Sequence, residues 1–479
     1  MDFKTHSIAD LHRGLARDEF SPADIAHACT SAWQQGQDRH RAWVCFDPQA
    51  LQTAARQTAL RLAGGQPLRL LEGIPVGVKD IFNTADFPTQ MGSPLWSGFT
   101  PGNDARAVFN LKRAGAWVPG KTVTAEFAVH TLGKTLNPWA PERTPGTSSS
   151  GSAVAVATGV VPVALGTQTA GSIVRPASFC GVWGMKPSFG LIPRTGMLKT
   201  TDSLDTVGFF VGHAADLRGV LDAVRVHGRD YPLSHAAFSD QARQAAPGQR
   251  PWKLGFVRPH VWQYAPDHAK VAIADWLARL AADPRFEVVD AVLPEELAEC
   301  HPVHATIYNR ALAYYFKEEF KNAGLVSPVM NALVEKGQRV SAQGYEAALQ
   351  RQVELSRLME RFTRGFDLLV TLSTAGPAPL RHVEEQPDSA LMWTLTHLPA
   401  VSAPVFSSPR GLPFGLQLVA RRYNDALLLN FIEEAVQRGH LPASGFAAQA
   451  DAMASVDAVV DAVADAAAGA VADTASLPA

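Results

Sequence analysis

The sequence predicts an α/β fold, and three observations support that prediction. Apolar runs rich in β-branched residues alternate along the chain with segments of helical periodicity. One stretch predicts a strand, a helix and a strand in succession, over 252–257, 267–282 and 286–292, which is a βαβ unit. Only 18% of the residues are charged and 47% are hydrophobic, so much of the chain can be buried. We expect one large domain over residues 1–445.

Two helices are expected in the N-terminal segment, residues 1–65. Ser21-Pro22 begins the first, which should fade near Gly36, and Asp47-Pro48 begins the second, which should stop at Gly64-Gly65. Each start combines a capping side chain with a proline at the first helical position. These helices are interpreted as scaffold.

The next segment, residues 66–210, is expected to carry the chemistry. Its first element is an apolar run from Gly73 to Phe82 that predicts a buried strand, with Lys79 inside it. Further along, the pattern predicts a helix over 104–115, a strand over 116–119, a helix over 124–131 and a strand over 161–165. Beyond this segment, another apolar strand is expected over 367–371.

No Asp, Glu, Lys or Arg occurs between Arg143 and Arg175. The mainly apolar part of this stretch is too short, and too broken by glycine and proline, to span a membrane. It contains two loops of small residues, 145–152 and 166–172. Small residues let the main chain approach a ligand closely, so both loops are candidates for presenting backbone N–H groups.

The second loop ends in Ser172, a candidate nucleophile. A serine hydroxyl needs a base to remove its proton, and amide hydrolysis needs donors for the developing oxyanion. The N–H groups of Thr169, Ala170 and Gly171 could supply those donors. Lys79 is a candidate base because desolvation disfavours its ammonium form and lowers its pKa.

These motifs, taken in order, resemble the amidase signature family, whose members hydrolyse or transfer carboxamide groups. The resemblance covers roughly residues 8–440, and its main segments are 73–80, 144–152, 166–172, 181–188, 203–208 and 415–418. It implies a central mixed β-sheet covered by helices on both faces, with no metal or organic cofactor. It also implies a triad in which Ser172 is the nucleophile, Ser148 a bridging serine and Lys79 the base.

The sequence departs from the family pattern near both serines. Thr147 stands where a glycine usually precedes the bridging serine, and the family's peptide bond at that point is cis. Gln168 replaces a common aspartate and Ala170 a glycine, while the arginine that follows the nucleophile lies one place later, as Arg175. These changes bear on substrate recognition more than on the chemistry.

Several alternatives stay open beside a carboxamide hydrolase. The same triad could cleave a carbamate or urea, or serve a glutamine amidotransferase A-like subunit. Residues Gly115 to Thr122 match a nucleotide-binding loop letter for letter, although a helix is expected before it. A Ser-His-Asp hydrolase could use His130 or His397, although the chain has no GxSxG elbow. A non-catalytic scaffold with this fold is the last alternative.

Composition also restricts partners and location. A net charge of −2 gives no broad basic surface for nucleic acid, so a small amide-type molecule is the expected partner, with no membrane role and a homodimer left open. Four dispersed cysteines and the lack of an apolar leader predict a cytoplasmic protein. Residues 231–350 are expected to form a variable substrate-side region. The Ala/Asp-rich tail, 446–479, is expected to be helical or disordered.

Overall fold

A mixed sheet of eleven strands forms the centre of the computed structural model, which describes residues 1–446. The strands are β1 (Trp43–Phe46), β2 (Val76–Lys79), β3 (Gly120–Thr122), β4 (Val163–Gln168), β5 (Trp183–Lys186), β6 (Thr206–Val211), β7 (Trp252–Phe256), β8 (Phe286–Asp290), β9 (Leu368–Leu372), β10 (Ala400–Ser407) and β11 (Pro413–Val419). Their order across the sheet is β1-β3-β2-β4-β6-β5-β10-β11-β9-β7-β8. The α/β prediction is confirmed.

Helices flank this sheet. They are α1 (Ile8–Ala16), α2 (Pro22–His40), α3 (Pro48–Ala63), α4 (Arg106–Arg113), α5 (Ser150–Ala157), α6 (Val174–Cys180), α7 (Asp216–Val224), α8 (Pro232–Ser239), α9 (Gln241–Gln244), α10 (Asp267–Ala281), α11 (Cys300–Tyr315), α12 (Pro328–Gln338), α13 (Ala342–Thr363), α14 (Ala390–Leu395) and α15 (Asp425–Gln437).

The sheet has parallel pairs on either side of a block of antiparallel pairs, and its edge strand β1 pairs antiparallel with β3. Strand β2 pairs in parallel with β3 and β4, and β7 pairs in parallel with β8 and β9. The central strands β4, β6, β5, β10, β11 and β9 pair antiparallel. The predicted βαβ unit is confirmed as β7, α10 and β8. Because β2 and β4 are parallel neighbours, their carboxyl ends bring Lys79 and the 166–172 loop together at one edge of the sheet.

Helices α2 and α3 begin where the sequence predicts, whereas α1 (Ile8–Ala16) was not among the two predicted helices. Ser21 caps α2 with a reciprocal Asp24 bond and Pro22 at the first helical position, and the Asp47 carboxylate accepts from the first turn of α3. Helix α2 continues through Gly36 to His40, because a single glycine costs only about 1 kcal/mol in a helix.

The expected helix over 124–131 is wrong. That segment holds a single 3₁₀ turn, Glu126–Ala128, in which Phe127 and Ala128 have positive φ values of 47° and 58°. A left-handed backbone cannot continue an α-helix. The strand expected over 116–119 forms later, as β3, and the one expected over 161–165 is β4, which begins at Val163 and runs to Gln168.

Helix α5 is buried along its whole length and packs on β2 and β4. This packing requires Gly151, because a Cβ there would lie 2.3 Å from the backbone nitrogen of Val123. A second apolar cluster lies under α11, α12 and α13, in the region 231–350 and beyond it. The tail predicted over 446–479 lies outside the described residues from 447 onward.

Candidate active site

Lys79 occupies the last position of β2 and is fully buried. Its Nζ lies 2.8 Å from Ser148 Oγ, 2.9 Å from Ser149 Oγ and 2.9 Å from Thr167 Oγ1. The two serines precede α5, and Thr167 belongs to the neighbouring parallel strand β4. Among residues 1–446, no carboxylate forms an ion pair with this amine. Lys79 and Ser148 are therefore in contact, as the predicted triad requires.

Burial lowers the pKa of Lys79 to about 7, and the Asp205 carboxylate opposes that shift. The reason is that hydroxyl oxygens solvate an ammonium far less well than bulk water does. A large fraction of the amine is then neutral at physiological pH. The uncharged stretch between Arg143 and Arg175 supplies all three hydroxyl neighbours, as its composition suggests.

The hydroxyl groups of Ser148 and Ser149, which both contact Lys79, differ in their hydrogen-bond partners. Ser149 Oγ donates to the carbonyl oxygen of Thr167 at 3.1 Å, so its oxygen accepts from the lysine amine. Among the described residues, Ser148 Oγ has no hydrogen-bond partner except Lys79. A neutral amine has one lone pair and two N–H bonds. Ser148 is thus free to donate its hydrogen to that lone pair.

The Thr147–Ser148 peptide bond is cis, as the family resemblance implies. Thr147, which departs from the family glycine, has polar partners of its own. Its hydroxyl donates to Glu385 at 3.2 Å and lies 3.4 Å from the Arg175 guanidinium. The threonine is therefore accommodated by an ionic cluster beside the serine loop.

Ser172 lies in the turn between β4 and α6 and is 8% exposed. Within residues 1–446 its hydroxyl makes no hydrogen bond, so it is not committed to a structural partner. In the same range, the N–H groups of 169–172 have no acceptor. By contrast, the carbonyls of Thr169, Ala170 and Gly171 each accept a hydrogen bond. The predicted oxyanion loop therefore has its carbonyls engaged and its donors free.

Three side chains hold this loop, and the sequence did not assign that role to any of them. His304 Nε2 lies 2.8 Å from the Thr169 carbonyl, and Thr394 Oγ1 donates to the Ala170 carbonyl at 2.7 Å. The Gln168 side-chain oxygen accepts from the N–H groups that follow the loop, at 2.8 and 3.0 Å. Burial lowers the pKa of His304 to about 4, so this imidazole is neutral at pH 7 and its Nε2 is the donor.

Asp205 is the acidic neighbour of this site. Its carboxylate accepts from the hydroxyl of Thr169 at 2.7 Å and from the backbone N–H groups of Thr200 and Thr201 at 2.8 and 3.0 Å. These bonds hold the carboxylate turned towards the loop. It is the charge that favours the protonated form of Lys79.

Arg175 joins two carboxylates beside the oxyanion loop. Its Nε lies 2.6 Å from Asp388 and its Nη1 lies 2.8 Å from Glu385. A Cβ on Gly171 would lie 2.8 Å from the same guanidinium, so the loop packs directly on this cluster. Because both anionic partners belong to the chain itself, Arg175 is already neutralised and supports the loop.

Replacing Arg175 by glutamine is expected to destabilise the protein by about 3–5 kcal/mol, because the buried Asp388 and the half-buried Glu385 would lose their counter-charge. Urea denaturation measures this loss. Arg17→Gln is the control, since Arg17 and Glu19 form an exposed pair at 3.6 Å. That variant should stay within about 1 kcal/mol of the wild type. Equal effects for the two variants would contradict the structural role of Arg175.

A cavity of about 1100 Å³ opens beside the serine loops. Thr147, Ala170 and Arg175 line its inner end, and Tyr308 of α11 lines a wall. Its lining also includes Lys336, Arg381 and Glu384, so it combines apolar surface with charges of both signs. Its size and position fit a substrate pocket.

The structure does not form the alternative sites that the sequence left open, namely a nucleotide-binding loop and a histidine-based hydrolase site. Gly120–Thr122 forms strand β3, and Lys121 is buried 3.1 Å from Asp80 and bound to the Phe82 carbonyl, so the nucleotide-binding interpretation is wrong. His397 bonds the Ser203 carbonyl in a different cavity. His130 lines the large cavity with an exposed side chain, and it makes no hydrogen bond to Ser172 in the described chain.

Two other features are absent from residues 1–446. No cluster of three or more His, Cys, Asp or Glu side chains there has an arrangement that could hold a metal ion. No helix there combines the length and apolarity needed to cross a bilayer.

This arrangement fits the class of serine hydrolases that use lysine in place of histidine. A family model described as Amidase matches residues 24–429, and the chain belongs to this amidase signature family, whose members are C–N bond hydrolases. The chain is 30% identical over 479 residues to the A-subunit of the glutamyl-tRNA(Gln) amidotransferase of Myxococcus xanthus, covering 91% of this chain and 97% of that protein.

Solved structures agree with this assignment. A structure described as an amidase superposes with a TM-score of 0.80 and 26% identity over 90% of this chain and 99% of the other. The peptide amidase from Stenotrophomonas maltophilia gives a TM-score of 0.78 and 25% identity over 92% and 99%.

Proposed function

We propose that residues 1–445 form an amidase that hydrolyses a carboxamide C–N bond through an acyl-enzyme on Ser172. Ser148 relays the proton and Lys79 is the base. The observation that carries this proposal is the buried Lys79 amine, which contacts Ser148 Oγ at 2.8 Å and has a pKa of about 7. A lysine in this state can accept a proton at neutral pH.

The reaction would proceed in two stages. Ser172 Oγ attacks the amide carbonyl carbon while its proton passes to Ser148 Oγ, whose own proton passes to neutral Lys79. The N–H groups of Thr169, Ala170 and Gly171, together with that of Ser172, stabilise the oxyanion. The proton then returns through Ser148 to the leaving nitrogen, and the amine departs. Water attacks the acyl-enzyme through the same relay and releases the carboxylic acid.

The substrate is proposed to be a small amide-type molecule that enters the 1100 Å³ cavity. Carbamates and ureas pass through the same tetrahedral chemistry, so they remain alternatives on the same residues. A hydrolysis screen of anilides, aliphatic amides, carbamates and ureas tests this choice. The proposal predicts that the highest kcat/KM falls among the carboxamides, and a best substrate among the ureas or carbamates would overturn it.

The named relatives favour a second candidate, a glutamine amidotransferase A-like subunit. That function would require ammonia release from glutamine and a partner that receives it. Measuring ammonia release from free glutamine by the purified chain, beside a simple aliphatic amide, separates the two. Preference for the aliphatic amide supports a free-standing hydrolase, whereas a preference for glutamine supports the amidotransferase.

Covalent labelling locates the nucleophile independently of substrate. A fluorophosphonate or sulfonyl fluoride is expected to modify Ser172, because among residues 1–446 its hydroxyl has no hydrogen-bond partner and the neighbouring N–H groups have no acceptor. Peptide mass spectrometry identifies the modified residue. Labelling at Ser148 or Ser149 instead of Ser172 would contradict the proposed role.

A further inference from the structure

A second cavity, of about 700 Å³, lies between α13, the segment after β11 and the short helix α9. It shares no lining residue with the proposed substrate cavity. Five arginines line it, against one glutamate: Arg243, Arg357, Arg361, Arg364 and Arg422, with Glu360. We call it the basic cavity. A chain with a net charge of −2 concentrates positive charge here.

Three of these arginines come from one helical face. Arg357 and Arg361 lie in the last turns of α13 and Arg364 directly follows the helix, at spacings of four and three residues, so these exposed side chains project from the same side. Within the described residues, none of the three makes an ion pair or a side-chain hydrogen bond. Glu354 of the same helix is bound to Arg351, at 2.8 Å. Like charges at this spacing repel each other unless an anion lies between them.

The opposite wall adds two half-buried guanidinium groups. Arg422 lies 4.9 Å from the centre of the Tyr423 ring and donates to its hydroxyl at 3.3 Å. Its Nε is buried and has no hydrogen-bond partner within residues 1–446. Arg243 donates to the Arg422 carbonyl and lies 4.0 Å from Glu360. The carboxylates therefore do not neutralise the cavity.

A neutral polar donor completes the lining. Ser203 Oγ is buried without a hydrogen-bond partner in the described part of the chain. A buried hydroxyl that lacks a partner costs free energy, as does the unpartnered Nε of Arg422. Both groups can donate a hydrogen bond, and both residues line the cavity. The cavity thus combines guanidinium forks with a neutral hydroxyl donor.

We propose that the basic cavity binds a small phosphorylated molecule, of the phosphate monoester or pyrophosphate class. Guanidinium forks match the oxygens of a phosphate group in pairs. Three of the five arginines are exposed, so the cavity is open to solvent, and its volume lies in the range of small-ligand sites. The five line one concavity rather than extending along a surface as a nucleic-acid site would. This inference does not depend on the amidase activity.

Isothermal titration of the full chain with pyrophosphate, at low ionic strength, tests the proposal. Saturable binding with one site is expected. The double substitution Arg357→Gln and Arg361→Gln should weaken it roughly tenfold or more, because each arginine supplies charge-assisted hydrogen bonds. Amide hydrolysis by this variant should be unchanged, since neither residue lies in the substrate cavity. That result would show that the variant is folded.

The matched control is Arg56→Gln with Arg279→Gln, which removes the same charge from exposed positions of α3 and α10. Its pyrophosphate affinity should equal that of the wild type. Absence of saturable binding to the wild type would overturn the proposal, as would an equal loss in both double variants. Binding of duplex RNA without binding of pyrophosphate would also overturn it, in favour of a nucleic-acid surface.

Discussion

Replacing Ser172 by alanine is expected to lower kcat for an amide substrate by roughly 10⁴-fold or more, because no acyl-enzyme can form. KM should change little, since this hydroxyl acts in bond formation rather than in holding the bound substrate. Binding of a non-hydrolysable amide should therefore persist in the variant. Steady-state kinetics, together with mass spectrometry for a missing acyl adduct, measures both effects.

Ser150→Ala is the matched control for Ser172→Ala. Ser150 is also buried, at the start of α5, and its Oγ has no hydrogen-bond partner within residues 1–446. Removing an unpartnered hydroxyl costs the fold little. This variant should keep wild-type kcat. Retained activity in Ser172→Ala, or an equal loss in Ser150→Ala, would contradict the nucleophile assignment.

The part of the sheet that carries Lys79 and the serine loops was predictable because its motifs are local. Lys79 lies in an apolar strand, and both serine loops lie in the uncharged stretch that follows, so each piece has its own signal. The parallel pairing of β2 and β4 then brings the pieces together. The helix over 124–131 was wrong because apolar periodicity reports burial, and a buried turn with positive φ gives the same pattern.

The residues that support the loop had no comparable signal. His304 and Thr394 reach it from α11 and α14, and they follow Thr169 and Ala170 by more than a hundred residues. A lone histidine or threonine in a helix has many structural roles, so spacing cannot select it. Gln168 differs, because it lies at the end of β4, only a few residues before α6. A polar side chain so close to a helix start is a candidate to accept from the first N–H groups of that helix, so this role was predictable from the sequence. Contacts between residues this far apart in the sequence could be identified only from the folded structure.

Replacing Lys79 by methionine is expected to lower kcat/KM by roughly 10³-fold or more, because Ser172 loses its base. In the wild type, kcat/KM should rise tenfold per pH unit below about 7 and level off above it, following the neutral fraction of Lys79. The variant should lose this dependence. Activity measured from pH 5 to about 9 provides the test.

Lys186 is a matched control for this pH dependence. It is also fully buried, and burial lowers its pKa to about 7, but its amine donates to the carbonyls of Pro187 and Leu398 instead of contacting Ser148 and Ser149. Lys186→Met should therefore keep the activity profile of the wild type. A profile that disappears in Lys186→Met and survives in Lys79→Met would reverse the assignment of the base.

Both lysines are expected to affect the pH dependence of the free energy of unfolding in the same way. This measurement therefore distinguishes the effect of burial from a role in catalysis. Between about 7 and the ordinary value of 10.5, the unfolded chain binds a proton that the buried amine releases. The free energy of unfolding should therefore rise with pH across this window. Below pH 7 both states are protonated, and the contribution to the slope vanishes. Each methionine variant should lose part of that rise in urea denaturation, whereas only Lys79→Met should lose the activity profile. Burial alone therefore does not make a lysine a base, and contact with Ser148 is the feature that distinguishes Lys79.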